Sequence, residues 1–365
     1  MPDPESEIFI NTVTGKIPVG HLGVTLFHEH LFQDMRRAYI VPKDQYSQEL
    51  KDKKVGIEDL ALIRKFPYSC LDNCVLDDPQ IAAEEVVDFL NYGGKTIIEV
   101  TAWNCGRLPE LLYQVSRDSN IQIIMGTGLY LEWSYPEWVK EKDEKEIADL
   151  LIQEIEQGVK LNGAPSIKPG IIGEIGISKK FTAEEEKSLI AACKAHLSTG
   201  LPITIHLPAW ERFGNQIVDT CESAGVNPCA VVLDHMDPSY MDIEYQLSLL
   251  KRGVTLEFDG IRMGLYFQEE GQCPCDEEIA LAIVSLMDKG FTNQILLSQD
   301  AFLKIFLRKY GGHGYGHILR SFIPRLMRHG LAKEDIKTLL ELNPQRVFTL
   351  AKKCNLKLIN ERNTD

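Results

Sequence analysis

What this chain of 365 residues lacks rules out several classes of protein. It has no unbroken apolar run near the ~20 residues that a membrane-crossing helix needs, so no membrane partner is expected. Positive charge is in the minority: 39 Lys and Arg stand against 53 Asp and Glu, a net charge of -14. Phosphate backbones are gripped by clustered cations, so no nucleic-acid partner is expected; a small-molecule substrate stays open, because one pocket can oppose the overall sign. The opening stretch Met1–Ile10, MPDPESEIFI, has no basic segment followed by an apolar run, and no secretory leader is expected. Cysteine is present nine times, an odd number scattered along the chain, which suits reduced thiols and a cytoplasmic setting better than a disulfide framework. The close pair Cys273-Pro-Cys275 has no second pair at zinc-ribbon spacing and is expected to be a loop feature. Linkers, low-complexity tracts, internal repeats and composition breaks are missing too, so one domain is expected over 1–365, with its core at about 20–350.

What is there is a regular alternation. Hydrophobic residues make up 44% of the chain, enough for a large core. Eight short β-branched or apolar runs recur: Gly23–His28, Lys95–Thr101, Ile121–Thr127, Gly170–Gly176, Pro202–His206, Ala230–His235, Val254–Phe258 and Gln294–Ser298. Between them lie stretches of helical period: Ile81–Asn91, Pro109–Arg117, Glu141–Gln157, Thr182–Ser198, Asn215–Ala224, Met241–Lys251 and Asp276–Asp288, with two more near Ile318–Arg328 and Ala332–Leu342. Strands alternating with helices imply parallel pairing through crossovers, and eight such units predict an α/β fold, the closed (β/α)8 TIM barrel. Thr182 and Glu185 have capping-box spacing, Gly200 and Gly253 sit at helix ends, and Pro202 opens a strand where a missing N–H costs least. Two long connections, about Phe32–Asp78 and Gly260–Cys275, are expected to shape the mouth at the C-terminal face.

The chemistry-bearing residues fall at strand ends. His28-Glu29-His30 closes the first run; in extended chain, positions i and i+2 share a face, so both imidazoles reach one point while Glu29 points away. His206 ends the fifth run, His235 the sixth, Asp300 follows the eighth, and Glu174 sits in the fourth, in GIIGEIG. Alone, His206 reads equally as a core histidine and Asp300 as a helix cap. Glu174 is different, because a carboxylate in an apolar strand is costly to bury without a partner, and a metal supplies one. Six candidate ligands at the C-terminal rim, mixing imidazole and carboxylate, suit Zn²⁺, Mn²⁺, Fe²⁺ or Co²⁺, and are too many for one open catalytic ion.

The stretches INTVTGKIP (10–18), LGVTLFHEHL (22–31), GTGLY (126–130), GIIGEIG (170–176), ITIHLP (203–208), VVLDHMD (231–237), LLSQD (296–300) and YGGHGYGHI (310–318) together resemble the phosphotriesterase-related family of the amidohydrolase superfamily. The resemblance runs from about Ile10 to Leu350. It implies a binuclear centre with one ion, most commonly Zn²⁺, on His28, His30 and Asp300, and another on His206 and His235. Many members bridge the ions with a carbamylated Lys; this chain is similar to the subgroup with Glu, at Glu174, and Lys168 and Lys179 lie off the matching position. Tyr130 matches a tyrosine that lactonase-like members place over the metals, although a core aromatic is the alternative for it. The family's Gly-Arg-Asp is Gly106-Arg107-Leu108 here, so Arg107 takes no role by resemblance, and His313 and His317 are not read as ligands. Family members are often homodimers.

The expected chemistry is hydrolysis by a metal-bridging hydroxide, with Asp300 as proton acceptor and Tyr130 as a hydrogen-bond donor to the substrate. Asp237 is a lesser candidate relay, and a solvated loop acid is the plainer reading of it. The expected bond is a lactone or carboxylic ester; an N-acyl amide is the runner-up, and phosphotriester cleavage a side activity. Alternatives outside this class are a barrel that binds metal and ligand without turnover, and a single-metal deaminase. Arg36, Arg37 and Arg262 read either as anion-recognising or as solvated charges, and Tyr130, Trp133, Tyr135 and Trp138 as a pocket wall or a loop anchor.

Overall fold

The structure is a computed structural model that describes residues 8–43, 45–161, 164–268 and 270–362. The first seven residues of the stretch read for a leader lie outside the described residues.

All eight apolar runs form strands of one parallel sheet: β1 Thr25–Glu29, β2 Thr96–Glu99, β3 Gln122–Thr127, β4 Ile171–Gly176, β5 Ile203–His206, β6 Val231–Leu233, β7 Thr255–Phe258 and β8 Ile295–Leu297. They pair in chain order from β1 to β8, as right-handed crossovers around a barrel require. The intervening helices are α1 Pro79–Asn91, α2 Pro109–Ser119, α3 Glu144–Gln157, α4 Ala183–Thr199, α5 Gly214–Ser223, α6 Ile243–Leu250 and α7 Asp276–Asp288. The forecast boundaries hold where local chemistry sets them. Thr182 accepts from the Glu185 N–H while Glu185 reaches back to the Thr182 N–H, and Gly200 ends α4 at φ +71°.

One element differs from expectation. The helical pattern placed at Ala332–Leu342 continues into a helix over Asn343–Arg362. Its Val347 and Phe348, with Ile10 and Leu22 from the N-terminal segment, close an apolar group drawn from Phe27, Ile98, Ile124, Ile171, Val232 and Leu296 of the strands. This docking is tertiary and leaves no local period to read. Seven of the nine cysteines are free, and the sulphurs of Cys229 and Cys354 approach each other between this helix and the turn before β6, their Cα atoms 7.5 Å apart, wider than disulfides usually span. Among the described residues no helix is long and apolar enough to cross a membrane.

The barrel closes between β8 and β1 through a side chain instead of a regular ladder. Ser298 Oγ accepts from the His28 N–H at 3.0 Å and lies 2.7 Å from the His28 carbonyl, which also receives the Asp300 N–H at 3.2 Å. One hydroxyl thus satisfies backbone groups that no strand reaches. Ser298→Ala is expected to cost ~1–3 kcal/mol, the penalty of buried unpaired polar groups, measured as a lower urea midpoint at unchanged slope.

Candidate metal centre

The six residues forecast from five strand ends meet at the carboxyl ends of the strands, and the Glu174 carboxylate is their meeting point. Its Oε1 lies 3.5 Å from His30 Nε2; its Oε2 lies 3.1 Å from His206 Nδ1, 3.8 Å from His28 Nε2 and 3.9 Å from His235 Nε2. Asp300 Oδ1 stands 3.2 Å from His30 Nε2 and 3.9 Å from His28 Nε2. His28, His30 and Asp300 form one triad of donor atoms lying within 4.8 Å of one another, and Glu174, His206 and His235 form a second. Glu174 stands between the two.

The donor set fits divalent cations. His28 is fully buried, and among the described residues neither of its ring nitrogens has a hydrogen-bond partner. Buried polar atoms without partners are costly, and a cation accepting the Nε2 lone pair removes that cost. His206 Nδ1 and His235 Nε2 face each other at 2.7 Å beside the same carboxylate, so a cation placed there would meet both nitrogens and the Glu174 oxygen together. Burial alone would raise the Glu174 carboxyl, but hydrogen bonds from His206 and His235 and the charge of His28 outweigh it and hold it well below the usual range. Asp300 is likewise held low, burial being outweighed by the His30 hydrogen bond and the surrounding imidazoles.

Groups behind the imidazoles set which nitrogen faces the centre. Thr101 Oγ1 donates to Glu99 Oε1 at 2.6 Å, so it can only accept from His30 Nδ1, 2.8 Å away; Nε2 is therefore the nitrogen that faces the centre, where a cation would take the place of its proton. Asp259 Oδ1 takes the His235 Nδ1 proton at 2.9 Å with the same result. The backbone is strained at two of these positions, His235 at φ +58° and Asp300 at φ +46°, in the left-handed region that favours glycine. Asp259 Oδ2 accepts from the His235 N–H at 2.9 Å. Glu29, which does point away from the centre, accepts from the Gln299 and Ala301 N–H groups at 3.0 Å each and so clamps both flanks of Asp300. Arg262 donates to the Gln299 carbonyl at 2.9 Å and stacks 3.7 Å over Phe306.

Neither reading of Arg262, anion-recognising or solvated, therefore holds; it is a buried brace for the loop that carries Asp300, and burial in the lead lowers its pKa to about 10. Arg36 is exposed and pairs with Asp34, and Arg37 donates to the Ser134 carbonyl at 3.1 Å. Arg107 binds the Gly126 carbonyl and Glu154, a structural contact. Asp237 is not a solvated loop acid: it is 1% exposed, its Oδ2 accepts from the Asp259 and Gly260 N–H groups, and burial followed by the Asp259 charge pushes it up to about 8. His317 pairs with Asp276 at 2.8 Å, while Tyr315, between His313 and His317 in the chain, donates to the His30 carbonyl at 2.6 Å.

Tyr130 places its hydroxyl 3.5 Å from His206 Nε2; burial and then the Glu174 charge raise its pKa well above the ordinary value, so it keeps its proton. It lines a cavity of about 430 Å³ over the centre, with Tyr68, Trp133, Met263, Phe267 and Phe302 as apolar wall and Lys179, Lys180 and Glu270 among its charged lining. The aromatic group divides: Trp133 meets Tyr130 edge-on at 6.1 Å, whereas Trp138 packs on Trp103. Asp234, Asp259, Glu99 and Thr101 were not singled out from sequence. Their signal was present, since Glu99 and Asp234 stand within apolar runs as Glu174 does and Asp259 directly follows one.

The profile of the Phosphotriesterase family matches residues 8–348. An N-acetyltaurine hydrolase of Dictyostelium discoideum is 33% identical, covering 94% of this chain and 98% of its own. A resiniferatoxin-binding protein from Rhodobacter sphaeroides superposes with TM-score 0.90 at 42% identity, over 93% of this chain and 94% of its own. A lactonase from Listeria monocytogenes superposes with TM-score 0.75 at 26% identity, over 94% and 99%. With an eight-stranded parallel barrel, these matches over nearly the whole length establish that the chain belongs to the phosphotriesterase family and is an enzyme of the hydrolase class.

Proposed function

We propose that this enzyme holds two divalent cations and hydrolyses a carboxylic acid derivative by attack at its carbonyl carbon. The observation that carries the reading is the gathering of four imidazoles and two carboxylates, Glu174 and Asp300, beneath a cavity. His28, His30 and Asp300 would hold one ion, His206 and His235 the other, with Glu174 between them in place of a carbamylated lysine. Zn²⁺ suits these donors, as do Mn²⁺, Co²⁺ and Fe²⁺. Bound there, such a pair supplies a nucleophile at neutral pH and polarises the oxygen under attack.

The chain's own groups do the rest. Asp300 lies at the edge of the centre with its carboxyl held low and hence ionised, and it would accept a proton from the nucleophile and return it to the leaving group. The protonated Tyr130 hydroxyl donates to the substrate's carbonyl oxygen. The apolar wall excludes water and receives the substrate's hydrocarbon part.

Of the bonds within this class, an N-acyl amide takes first place over the lactone or carboxylic ester preferred from sequence. The relatives named N-acetyltaurine hydrolase support the change, as do Lys179 and Lys180, which line the cavity where an acidic group on the amine would lie. The lactone or ester remains a second reading, supported by the Listeria lactonase and by Tyr130 over the centre. Phosphotriester cleavage is incidental in either case.

Dialysis against a chelator is expected to abolish turnover of an N-acyl amino acid and lactone panel, with Zn²⁺ or Mn²⁺ restoring it; full activity in metal-free enzyme would refute the reading. Asp300→Asn and Glu174→Ala are each expected to lower kcat by at least ~100-fold. Near wild-type turnover by both, with metal still bound by elemental analysis, would remove these residues from the chemistry. Lys179→Ala with Lys180→Ala is expected to raise KM for anionic N-acyl amides by ~10-fold while sparing neutral esters; equal effects on both would return the ester to first place.

A further inference from the structure

Adjoining the centre lies a second group of acids that the chemistry above does not use. Asp234, Glu257 and Asp259 come from the ends of β6 and β7 and are 0%, 0% and 1% exposed. Together with His28 Nδ1 they place four donor atoms within 4.8 Å of one another. Asp234 Oδ2 and Asp259 Oδ2 stand 3.4 Å and 3.7 Å from His28 Nδ1. Barrel interiors are ordinarily filled by branched apolar side chains, so three acids here replace favourable packing with a large desolvation cost.

The outer atoms of this group are accounted for. Asp234 Oδ1 accepts from Thr204 Oγ1 at 2.6 Å, and Asp259 Oδ1 serves His235. Of the inner atoms, Asp259 Oδ2 accepts from the His235 N–H at 2.9 Å and Asp234 Oδ2 faces His28 Nδ1 at 3.4 Å, but among the described residues neither Glu257 Oε1 nor Oε2 has a hydrogen-bond partner. A fully buried glutamate with both oxygens unpartnered, beside two more buried acids, is the donor arrangement of a cation site.

Resting on the binuclear reading above, we propose that Asp234, Glu257 and Asp259 bind a third divalent cation beside the catalytic pair. Three carboxylates make the site oxygen-rich, which selects a hard cation of the Mn²⁺ or Mg²⁺ type. With Nε2 toward the catalytic pair, His28 keeps its proton on Nδ1, which faces Asp234 Oδ2 and Asp259 Oδ2; by holding those carboxylates the third ion fixes the ring on which one catalytic ligand depends.

The test uses the whole chain produced with Mn²⁺, desalted, and assayed for manganese by elemental analysis and by anomalous diffraction at the manganese edge. The expected result is three equivalents per chain, with a third anomalous peak among Asp234, Glu257 and Asp259. Glu257→Gln, nearly isosteric and neutral, is expected to lose one equivalent and that peak alone, with the other two peaks in place. Two equivalents in the wild type, or a third peak elsewhere, overturns the third site and leaves the catalytic pair standing, the acids then holding protons instead. Fewer than two equivalents overturns both readings. The wild-type anomalous map decides the matter even if Glu257→Gln does not fold.

Discussion

The structure turns on one buried carboxylate that four imidazoles share. Glu174 leaves β4 inside an apolar run where its charge would be prohibitive alone, and His28, His30, His206 and His235 surround it from β1, β5 and β6. An eight-stranded barrel makes this possible, because strand ends remote in sequence open onto one rim. The glutamate has one partner set, and that set exists only in the closed fold.

Orientation is the next constraint. An imidazole offers two nitrogens, and only a group behind it decides which one faces the centre. Thr101 with Glu99 does this for His30, and Asp259 for His235. Strain at His235 and Asp300 is tolerated because Asp259, Glu29 and Arg262 hold the neighbouring backbone. The Glu of His28-Glu29-His30 is therefore as much part of the site as its neighbours, although it acts on the loop that carries Asp300 and touches nothing at the centre.

Much of this was legible in the sequence, for identifiable reasons. The eight strands were readable because buried parallel strands are short apolar runs bounded by Gly and Pro, and α4 because Thr182, Glu185 and Gly200 cap it locally. The six centre residues were readable because polar groups stood out at the ends of apolar runs. The same argument applied to Glu99, Asp234, Glu257 and Asp259 would have found the groups behind the imidazoles; of these only Asp234 has a histidine beside it, His235, and that histidine drew the attention. Arg262 and Asp237 could not be read: a loop position looks solvated until the fold buries it, as it buries both here.

What the linear chain carried, then, was periodicity, caps and the misfit of charge in apolar strands, since these depend on neighbours a few residues apart. The folded barrel settled what no local pattern encodes: which oxygen meets which nitrogen around Glu174, how Ser298 joins the last strand to the first, and that Asp234, Glu257 and Asp259 gather behind His28. Those contacts join residues tens to hundreds of positions apart, and their energies come from burial and shared charge, which exist only once the strands have closed.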